Sequence, residues 1–479
     1  MAEGSTVLSA KAGWILLGLF GVMWIALGIH WGRRARSLDG FMVAGRNVGL
    51  ALGTATAVAT WITSNTTMLA PQFALQLGIW GMLAYSTASL GLVLFAPLAK
   101  RIRRMMPHGY TSVEFIRLRY GRVAYTVFLL ISLFYGLTWM VSMGMAGGIL
   151  LEALAGIPYQ FGMTVILFVC MVYTLFGGLY AVIGTDFVQS VIILVGIVAV
   201  AIAILTQVSP GEIYTDLQTE RPALLNILFP AAIIAVFNNL LFGIGEIFHS
   251  NVWWSRAFAM REGVGMKAYL LAGVIWLPIP IVAGFLGLAA PSLGINIMRP
   301  DTVGPLVAAN LLGHIGSVFV FIIVFCSLAS SIDSLLAATS DVVTKEVIQP
   351  LLMPAASNAQ LRKVASVVIV AVALVTWMVC LPKVGTLATV LFFAGPLVGS
   401  TIWPIVAGLF WRRTNPAGAV LAMVLGSASG LLAYVEIGWY TGALIGTAVS
   451  FGTVVVTTLA WPRAFDWGRL AAERRAIRT

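Results

Sequence analysis

The sequence predicts an all-α membrane protein with thirteen transmembrane helices. Of its 479 residues, 60% are hydrophobic and only 9% are charged, a composition that excludes an ordinary soluble domain. The apolar runs extend for about 20 residues, the length of a helix that crosses a bilayer, whereas barrel strands are about half as long and alternate in polarity. Because lipid cannot satisfy backbone hydrogen bonds, we expect these runs to form helices.

The charges between the predicted spans give the protein an orientation. The predicted spans are 12–31, 47–75, 79–99, 123–151, 159–178, 180–207, 226–248, 264–289, 317–345, 364–382, 384–410, 417–435 and 438–461. With the N-terminus outside, all but four of the 28 Lys and Arg residues fall on the inner side. The four exceptions are Lys11, Arg221, Arg299 and Lys383. This asymmetry predicts an integral protein of the plasma (inner) membrane with an outer N-terminus and a cytoplasmic C-terminus.

Several other classes of protein are not indicated. The net charge of +11 would suit a nucleic-acid partner, but the positive charge lies mostly in short inner loops, where it sets orientation. The three cysteines lie in apolar runs and the four histidines lack metal-ligand spacing, so neither a disulfide framework nor a zinc site is predicted. No nucleophile–base pattern indicates an enzyme. The first span is followed by several arginines rather than by small residues, so it is not expected to be a cleaved signal peptide.

The ninth predicted span carries a polar stripe between residues 327 and 341. At 100° per residue, six polar side chains fall within roughly 160° of the helix surface. They are Ser327, Ser330, Ser331, Asp333, Ser334 and Asp341. Serines often hydrogen-bond between membrane helices, which is the structural alternative, but such contacts do not need carboxylates. Because small cations prefer hydroxyl, carboxylate and carbonyl oxygens, the stripe predicts a cation site, with Asp341 beyond it near the inner end.

Asp186 is a second acidic side chain at membrane depth. It follows the double glycine Gly177-Gly178 and enters the sixth predicted span by one or two turns. A buried aspartate needs a partner, and no Lys or Arg lies in the apolar part of any predicted span. The pattern therefore predicts a bound cation or a proton at Asp186, with a hydrogen-bonded structural aspartate as the alternative.

Two predicted spans have the features of discontinuous helices. Span 2 becomes polar over residues 60–67, and in span 7 a pair of asparagines precedes Gly243 and Gly245. In secondary transporters, broken helices at corresponding positions of two inverted repeats form a binding site at the midplane. We therefore predict a five-plus-five inverted repeat with one extra N-terminal helix and two extra C-terminal helices. The predicted segments of this single transporter domain, 1–479, are 1–46, 47–207 for repeat one, 226–410 for repeat two, and 411–479.

The motif GGLYAVIGTDFVQ at residues 177–189 resembles the signature of the sodium/solute symporter family. The resemblance extends over nearly the whole chain, because SLDGFMVAGR at 37–46 and YTSVEFIRLRYG at 110–121 are similar to the family's segments after its first and third spans. WWSRAFA at 253–259 and KAYLLAG at 267–273 resemble its urea symporters, whereas residues 330–334 resemble the general family pattern. The resemblance implies a LeuT-type fold, with thirteen spans and an outer N-terminus.

The same resemblance implies a sodium site between spans 2 and 9. Its ligands would be the backbone carbonyls of Ala55, Val58 and Ser327 and the hydroxyls of Ser330 and Ser331. Some members have a second sodium site between spans 6 and 9, and the matching residues here are Asp186, Ser330, Asp333 and Ser334. Asp333 departs from the serine that such members carry, and the added carboxylate would either tighten this second site or make it prefer a proton.

Aromatic and polar side chains are expected to line a solute cavity at the midplane, which suits a small organic solute. The predicted lining residues are Trp61, Ser64, Asn65, Tyr135, Trp139, Asn239, Phe242, Glu246 and Phe392. The alternatives are that the aromatic residues pack between helices and that Glu246 lies at the inner mouth beside His249. As an acid within the membrane, Glu246 predicts contact with a cationic or amide-bearing solute, or a proton relay.

Together these features predict a sodium-coupled symporter that imports a small polar organic solute by alternating access. The solute would be urea-like, an amino acid or a carboxylate, and the coupling ion would be sodium, with a proton as the alternative. A membrane sensor module is a second hypothesis, although no signalling sequence precedes Thr479, and a uniporter or channel is a third. The expected partners are the solute, sodium and the bilayer, with no nucleic acid and no obligate protein partner.

Overall fold

The helices account for most of the chain. A computed structural model describes residues 8–226, 228–295, 297 and 299–472, so Arg474, Arg475 and Arg478, predicted on the inner side, lie outside the described residues. The first ten helices are α1 (Ala10–Gly32), α2 (Leu38–Val43), α3 (Leu50–Trp61), α4 (Ser64–Ser86), α5 (Ser89–Met105), α6 (Ser112–Tyr120), α7 (Arg122–Ala155), α8 (Tyr159–Gln207), α9 (Pro210–Glu220) and α10 (Pro230–His249).

The second half of the chain continues in the same way. Its helices are α11 (Asn251–Ala259), α12 (Val264–Trp276), α13 (Pro278–Ala289), α14 (Val303–Val342), α15 (Gln349–Leu351), α16 (Asn358–Cys380), α17 (Leu387–Phe393), α18 (Gly395–Phe410), α19 (Pro416–Glu436), α20 (Gly442–Ala460) and α21 (Arg469–Ala472). Short 3₁₀ segments occupy Ala44–Arg46, Pro222–Leu225 and Pro300–Thr302, and a π-helical turn, Val343–Ile348, extends α14.

Eleven helices within the described residues are long and apolar enough to cross a membrane. Two of these, Ser64–Met105 and Tyr159–Gln207, are interrupted by non-helical backbone at Gly78 (φ +67°) and Gly178 (φ +50°). Positive φ favours glycine, and both positions coincide with predicted boundaries, between spans 2 and 3 and between spans 5 and 6. The all-helical membrane architecture is confirmed, whereas the count of thirteen stays a prediction.

Span 2 is broken at the predicted place. Between α3 and α4, Ile62 (φ −81°, ψ 81°) and Thr63 (φ −86°, ψ 170°) leave the helical conformation. A reciprocal capping box between Thr63 and Thr66 starts α4, which satisfies backbone amides that have no partner in the first turn. The break therefore frees the last carbonyls of α3 for donors on other helices.

Span 7 is continuous, so the prediction of a second broken helix was wrong. Helix α10 runs without interruption, and the backbone becomes extended only at Ser250 (φ −69°, ψ 132°) before α11. The glycines of α10 allow close packing instead. A Cβ atom on Gly243 would lie 2.8 Å from Ala88 Cβ, and one on Gly245 would lie 2.9 Å from the Val398 carbonyl carbon. Glycine in a membrane helix thus marks a close helix contact here rather than a break.

Helix α14 occupies the centre of the bundle and packs on α8, α7 and α4. The polar stripe is buried along its length, and the apolar residues on the other face of the helix, such as Leu328 and Ile332, are buried as well. Because the protein surrounds this helix, its stripe contacts other helices rather than lipid, as polar groups at this depth require.

Helix α11 is joined to the segment that precedes α3. Val48 donates its N–H to the Ala259 carbonyl and accepts from the Arg261 N–H, both at 3.0 Å. These two bonds form a parallel bridge between Val48 and Met260. The bridge fixes α11 against the bundle, where all of its residues are buried.

Candidate functional site

Uncharged oxygens converge where α3 is broken and α14 crosses it. The Ser330 hydroxyl donates to the Ala59 carbonyl at 3.0 Å, and the Ser331 hydroxyl donates to the Thr60 carbonyl at 3.3 Å. Both hydroxyls also lie within hydrogen-bond distance of the Ser327 carbonyl, at 3.2 Å and 2.9 Å. We call these three carbonyls and two hydroxyls the neutral oxygen cluster. Oxygens of this type are the ligands that small hard cations prefer.

The neutral oxygen cluster contains three of the five predicted sodium ligands. The structure brings Ser327, Ser330 and Ser331 together, but the carbonyls of span 2 that meet them belong to the next residues along α3. The Val58 carbonyl accepts the Ile62 N–H at 2.9 Å, and Ala55 lies one turn earlier within α3. The roles of Ala55 and Val58 therefore stay predictions.

A second group of oxygens lies beside the first and carries charge. We define the charged cluster as Asp186, Asp333, Ser334 and Arg256, with the hydroxyls of Thr56 and Thr60. The Arg256 Nη2 atom lies 3.1 Å from Asp186 Oδ2, and both side chains are 0% exposed. Asp186 Oδ2 also accepts a hydrogen bond from the Thr56 hydroxyl at 2.5 Å. The ion pair is thus buried and hydrogen-bonded, which is the arrangement that a membrane interior demands of charged groups.

Arg256 contacts four helices through its guanidinium group. Nη2 donates to Thr60 Oγ1 at 2.6 Å and to Ser334 Oγ at 2.7 Å. Nε donates to Thr56 Oγ1 at 3.0 Å, and Nη1 donates to the Val252 carbonyl of its own helix at 3.0 Å. Arg256 therefore connects α11 to α3, α8 and α14 at one point.

The prediction that Asp186 has no basic partner was wrong. Arg256 belongs to a segment that was predicted to be an inner loop, but α11 folds against the bundle and directs the guanidinium to Asp186. A signal was present in the sequence, because WWSRAFA at 253–259 has a single charged residue among apolar and aromatic ones. That composition is unlike a solvated loop.

Asp333 is held by hydroxyl groups. Its Oδ2 accepts from the Tyr173 hydroxyl at 2.7 Å, and its Oδ1 accepts from the Ser334 hydroxyl at 3.2 Å. Among the described residues, Asp186 Oδ1 has no hydrogen-bond partner. The charged cluster thus contains two carboxyl groups and one guanidinium, linked by hydroxyls from α3, α8 and α14.

A cavity of about 20 Å³ lies next to the break in span 2. Its lining residues are Trp61, Thr63, Asn65, Tyr85, Ala88, Tyr135, Trp139, Asn239, Phe242, Glu246, Trp276 and Leu391. A volume of this size holds about one water molecule, and the walls are mostly aromatic. A few polar groups among aromatic side chains form the kind of lining that small-molecule sites have, although such sites are larger, about 300–1,000 Å³.

Most of the predicted solute-contacting residues line this cavity, but Ser64 and Phe392 lie outside the lining. The Ser64 hydroxyl is directed to Met143 Sδ at 3.2 Å. Phe392 stacks with Phe73 and packs on Phe242, which is a lining residue, with ring centroids 5.7 Å and 4.9 Å apart. Phe392 therefore packs against the lining residue Phe242 and does not itself line the cavity.

Tyr85 and Trp276 also line the cavity, although neither was predicted to do so. Trp276 donates its Nε1–H to the Trp61 carbonyl at 2.7 Å, at the end of α3. Tyr85 packs against Trp276, with ring centroids 6.3 Å apart. An aromatic residue in an apolar span gives no local sign of whether it packs or lines a cavity, so the sequence held no signal for either residue.

Three polar groups at the cavity lack hydrogen-bond partners among the described residues. Glu246 Oε1 accepts from Trp253 Nε1 at 3.0 Å, while Oε2 is buried and unpaired. The Tyr135 hydroxyl, which faces Glu246 without a hydrogen bond of normal geometry, and Trp61 Nε1 are also buried and unpaired. Since unpaired buried polar groups are costly, this arrangement offers one acceptor and two donors to a small polar molecule.

Comparison with known families identifies the kind of protein that carries these sites. A sequence model described as "Sodium:solute symporter family" matches residues 41–426. The chain belongs to the sodium:solute symporter family. This confirms the resemblance carried by residues 177–189. Because the family and the named relatives of this member are transporters, the expectation that the chain is not an enzyme is confirmed as well.

Named relatives of this symporter-family member transport different solutes. It is 26% identical to "Urea-proton symporter DUR3" of Oryza sativa subsp. japonica, over 89% of this chain and 67% of that protein. It is 25% identical to "Osmoregulated proline transporter OpuE" of Bacillus subtilis, over 87% of this chain and 88% of that protein. The chain thus spans about two thirds of the length of the urea transporters that it matches.

Solved structures show the fold of this family member. A Na+-coupled sialic acid symporter aligns with a TM-score of 0.78 at 18% identity, over 95% of this chain and 99% of the other. The nucleobase-cation-symport-1 family transporter Mhp1 aligns with a TM-score of 0.59 at 15% identity, over 91% and 96%. These LeuT-like neighbours confirm the fold class, while the number of spans and the repeat boundaries stay predictions.

Proposed function

We propose that this family member is a sodium-coupled symporter that imports a small uncharged amide such as urea by alternating access. The observation that carries the proposal is the unpaired Glu246 Oε2 opposite the unpaired Tyr135 hydroxyl. Urea donates through two amino groups and accepts through one carbonyl. One amino group would donate to Glu246, and the carbonyl, which has two lone pairs, would accept from both Tyr135 and Trp61. Each polar atom that lacks a partner in the cavity would then have one.

The Glu246 carboxyl in the cavity also bears on which other solutes could bind. A carboxylate-bearing solute would place a negative charge beside the Glu246 carboxyl in a buried, mostly aromatic site, which is unfavourable. Proline is nevertheless the second candidate solute, because relatives named as proline transporters match most of the chain. A relative named a urea-proton symporter supports proton coupling as the alternative to sodium.

We place the coupling sodium in the neutral oxygen cluster. The ion would take the carbonyl of Ser327 and the hydroxyls of Ser330 and Ser331 as ligands, with the Ala55 and Val58 carbonyls from span 2. It would replace the hydrogen bonds that now join α14 to the end of α3. Sodium would thereby favour the conformation in which the two helices enclose the ion, and a differential affinity of about 5.5 kcal/mol shifts such an equilibrium almost completely.

We also propose the predicted topology for this transporter, with thirteen spans and the two repeats at 47–207 and 226–410. The N-terminus would lie outside and the C-terminus in the cytoplasm of a cell bounded by the plasma (inner) membrane. The distribution of Lys and Arg between the loops supports this orientation. Cysteine labelling of single-cysteine variants in intact cells, at Lys11 and at Arg413, tests it by accessibility.

Uptake by the purified full chain in proteoliposomes tests the transport proposal. Radiolabelled urea is offered under an inward sodium gradient, an inward proton gradient or no gradient, and radiolabelled proline is offered in parallel. We expect the sodium gradient to accelerate urea uptake and a sodium ionophore to abolish the acceleration. Empty liposomes provide the background.

Each other outcome contradicts a separate part of the proposal. Acceleration by a proton gradient without sodium would identify the proton as the coupling ion. Sodium-driven uptake of proline but not of urea would identify proline as the solute. A rate of solute uptake that is the same with and without each ion gradient would indicate a uniporter or channel. Binding of a solute without any uptake would indicate the sensor function.

A further inference from the structure

The guanidinium of Arg256 occupies a position that has the oxygen environment of a cation site. Around Nη2 lie Thr60 Oγ1 at 2.6 Å, Ser334 Oγ at 2.7 Å and Asp186 Oδ2 at 3.1 Å. These atoms come from α3, α14 and α8, and the first two of these helices also supply the neutral oxygen cluster. One carboxylate and two hydroxyls on converging helices form the kind of oxygen set that binds small cations.

Arg256 cannot leave this position as a free ion would. Its Nη1 and Nε groups are fixed by the Val252 carbonyl and the Thr56 hydroxyl, both at 3.0 Å. Its helix is held by the bridge between Val48 and Met260. A guanidinium keeps its charge in proteins, so it neutralises Asp186 permanently and repels any second cation from the same oxygens.

We propose that Arg256 is a tethered cation in the charged cluster and that the protein therefore binds a single sodium ion, in the neutral oxygen cluster. Two of the residues for which the family resemblance implies a second sodium site, Asp186 and Ser334, then hold an arginine, and Asp333 is linked to it through Ser334. The inference rests on the proposed function in taking the neutral oxygen cluster as the coupling site. It goes further in naming the residue that limits the number of coupling ions.

Direct counting of bound sodium tests the inference without knowledge of the solute. Purified full-length protein is equilibrated with radioactive sodium, and the ions bound per chain are measured at saturation. We expect about one ion for the wild type and about two for Arg256→Gln, because that variant vacates the position and leaves Asp186 without a counter-charge. Arg256→Lys keeps a tethered charge and is expected to return the count to about one.

Two further variants separate ion counting from structural damage. Asp186→Asn/Arg256→Gln removes both members of the ion pair, so neither is left without its partner, and the variant is expected to bind about one sodium per chain. Arg261→Gln removes an exposed positive charge just beyond the same short helix and is expected to change nothing. A purely structural arginine would lower thermal stability on substitution without raising the number of bound ions.

The remaining outcomes decide between the two proposals. About two ions in the wild type, or an unchanged count in folded Arg256→Gln, would overturn the tethered cation. If Arg256→Gln does not fold, Ser330→Ala/Ser331→Ala replaces it, and its sodium affinity should fall about 10-fold. A bound ion whose affinity is unchanged in that variant would lie in the charged cluster and refute the inference. If the wild type binds no sodium and Arg256→Gln gains an ion, the tethered cation stands and the proposed sodium coupling fails. If neither binds sodium, both fail.

Discussion

The two oxygen clusters on α14 both contain hydroxyl groups, but one combines them with backbone carbonyls and the other with carboxylates. In the neutral oxygen cluster, hydroxyls meet carbonyls that the broken helix α3 leaves free. These hydrogen bonds are modest in net free energy, about 1 kcal/mol each, and carry no formal charge. In the charged cluster, a carboxylate is already neutralised by a guanidinium at 3.1 Å.

The difference shows how one helix can separate an exchangeable ion from a permanent one. An oxygen cluster without charge loses little when the ion leaves, so it suits a cation that binds and dissociates in each cycle. A buried carboxylate without a counter-charge is costly, so a site built on Asp186 needs a positive charge in every state. An arginine on a neighbouring helix meets this need without an ion from solution.

The largest effect is expected from breaking the ion pair of the charged cluster. Asp186→Asn or Arg256→Gln alone leaves one buried charge unpaired and should destabilise the protein by about 3–5 kcal/mol. The measurement is the thermal unfolding temperature in detergent, read by size-exclusion fluorescence. The double variant Asp186→Asn/Arg256→Gln should recover most of the loss, and a double variant as unstable as the single ones would show that the two groups are not coupled.

Substitutions in the neutral oxygen cluster should change ion affinity more than stability. We expect Ser330→Ala/Ser331→Ala to raise the sodium concentration for half-maximal uptake by about 10-fold or more. The lost hydrogen bonds should cost about 1 kcal/mol each. Ser340→Ala is the matched control, since the Ser340 hydroxyl lies on the same helix and bonds the Ala365 carbonyl at 2.8 Å. Equal effects of the two changes on sodium dependence would place the ion elsewhere.

Helical periodicity was enough to predict the oxygen-rich stripe of α14 but not the arginine of the charged cluster. The stripe on α14 could be predicted because its residues recur at helical spacing within an apolar run, and Gly78 and Gly178 marked span boundaries through local backbone demands. The composition of residues 253–259 indicated a buried segment, but the contact of Arg256 with Asp186 depends on how α11 folds back, which no local pattern encodes. This long-range contact explains why the counter-charge of Asp186 was missed.

The error at span 7 has a different physical origin. Small and polar residues are compatible both with a helix break and with close helix packing, so Gly243 and Gly245 were ambiguous in the sequence. The asparagines of α10 also make contacts with neighbouring helices. Asn238 Oδ1 accepts the N–H groups of Ala443 and Leu444 at 2.9 Å and 3.2 Å, at the start of α20. Only the neighbouring helices reveal which role such residues take.

Glu246 extends the comparison to a buried acid for which the structure shows no guanidinium contact among the described residues. If urea is the solute and Glu246 accepts a hydrogen bond from it, Glu246→Gln should raise the KM for urea by about 10-fold, because bonds to charged groups contribute about 1.5–3 kcal/mol. Glu152→Gln is the control, since Glu152 is exposed and pairs with Lys383 at 2.6 Å. An unchanged KM in Glu246→Gln would remove Glu246 from the solute site.

The smallest effect is expected from single hydroxyls at the cavity. Tyr135→Phe removes an unpaired donor that faces Glu246, and we expect the KM for urea to rise about fivefold, the equivalent of about 1 kcal/mol. Ser64→Ala should leave KM unchanged, because the Ser64 hydroxyl is directed to Met143 rather than to the cavity. Similar KM values for both variants would mean that the neutral groups of the wall do not contact the solute.

The bridge between Val48 and Met260 couples the movement of α3 to that of α11. Its two hydrogen bonds join the start of the broken span to the end of the helix that carries Arg256. A swing of α3 that uncovers the neutral oxygen cluster would therefore carry α11 with it and pull on the ion pair that joins Arg256 to Asp186 of α8. Because that pair stays closed, its strength would limit how far α3 can move when the ion is released.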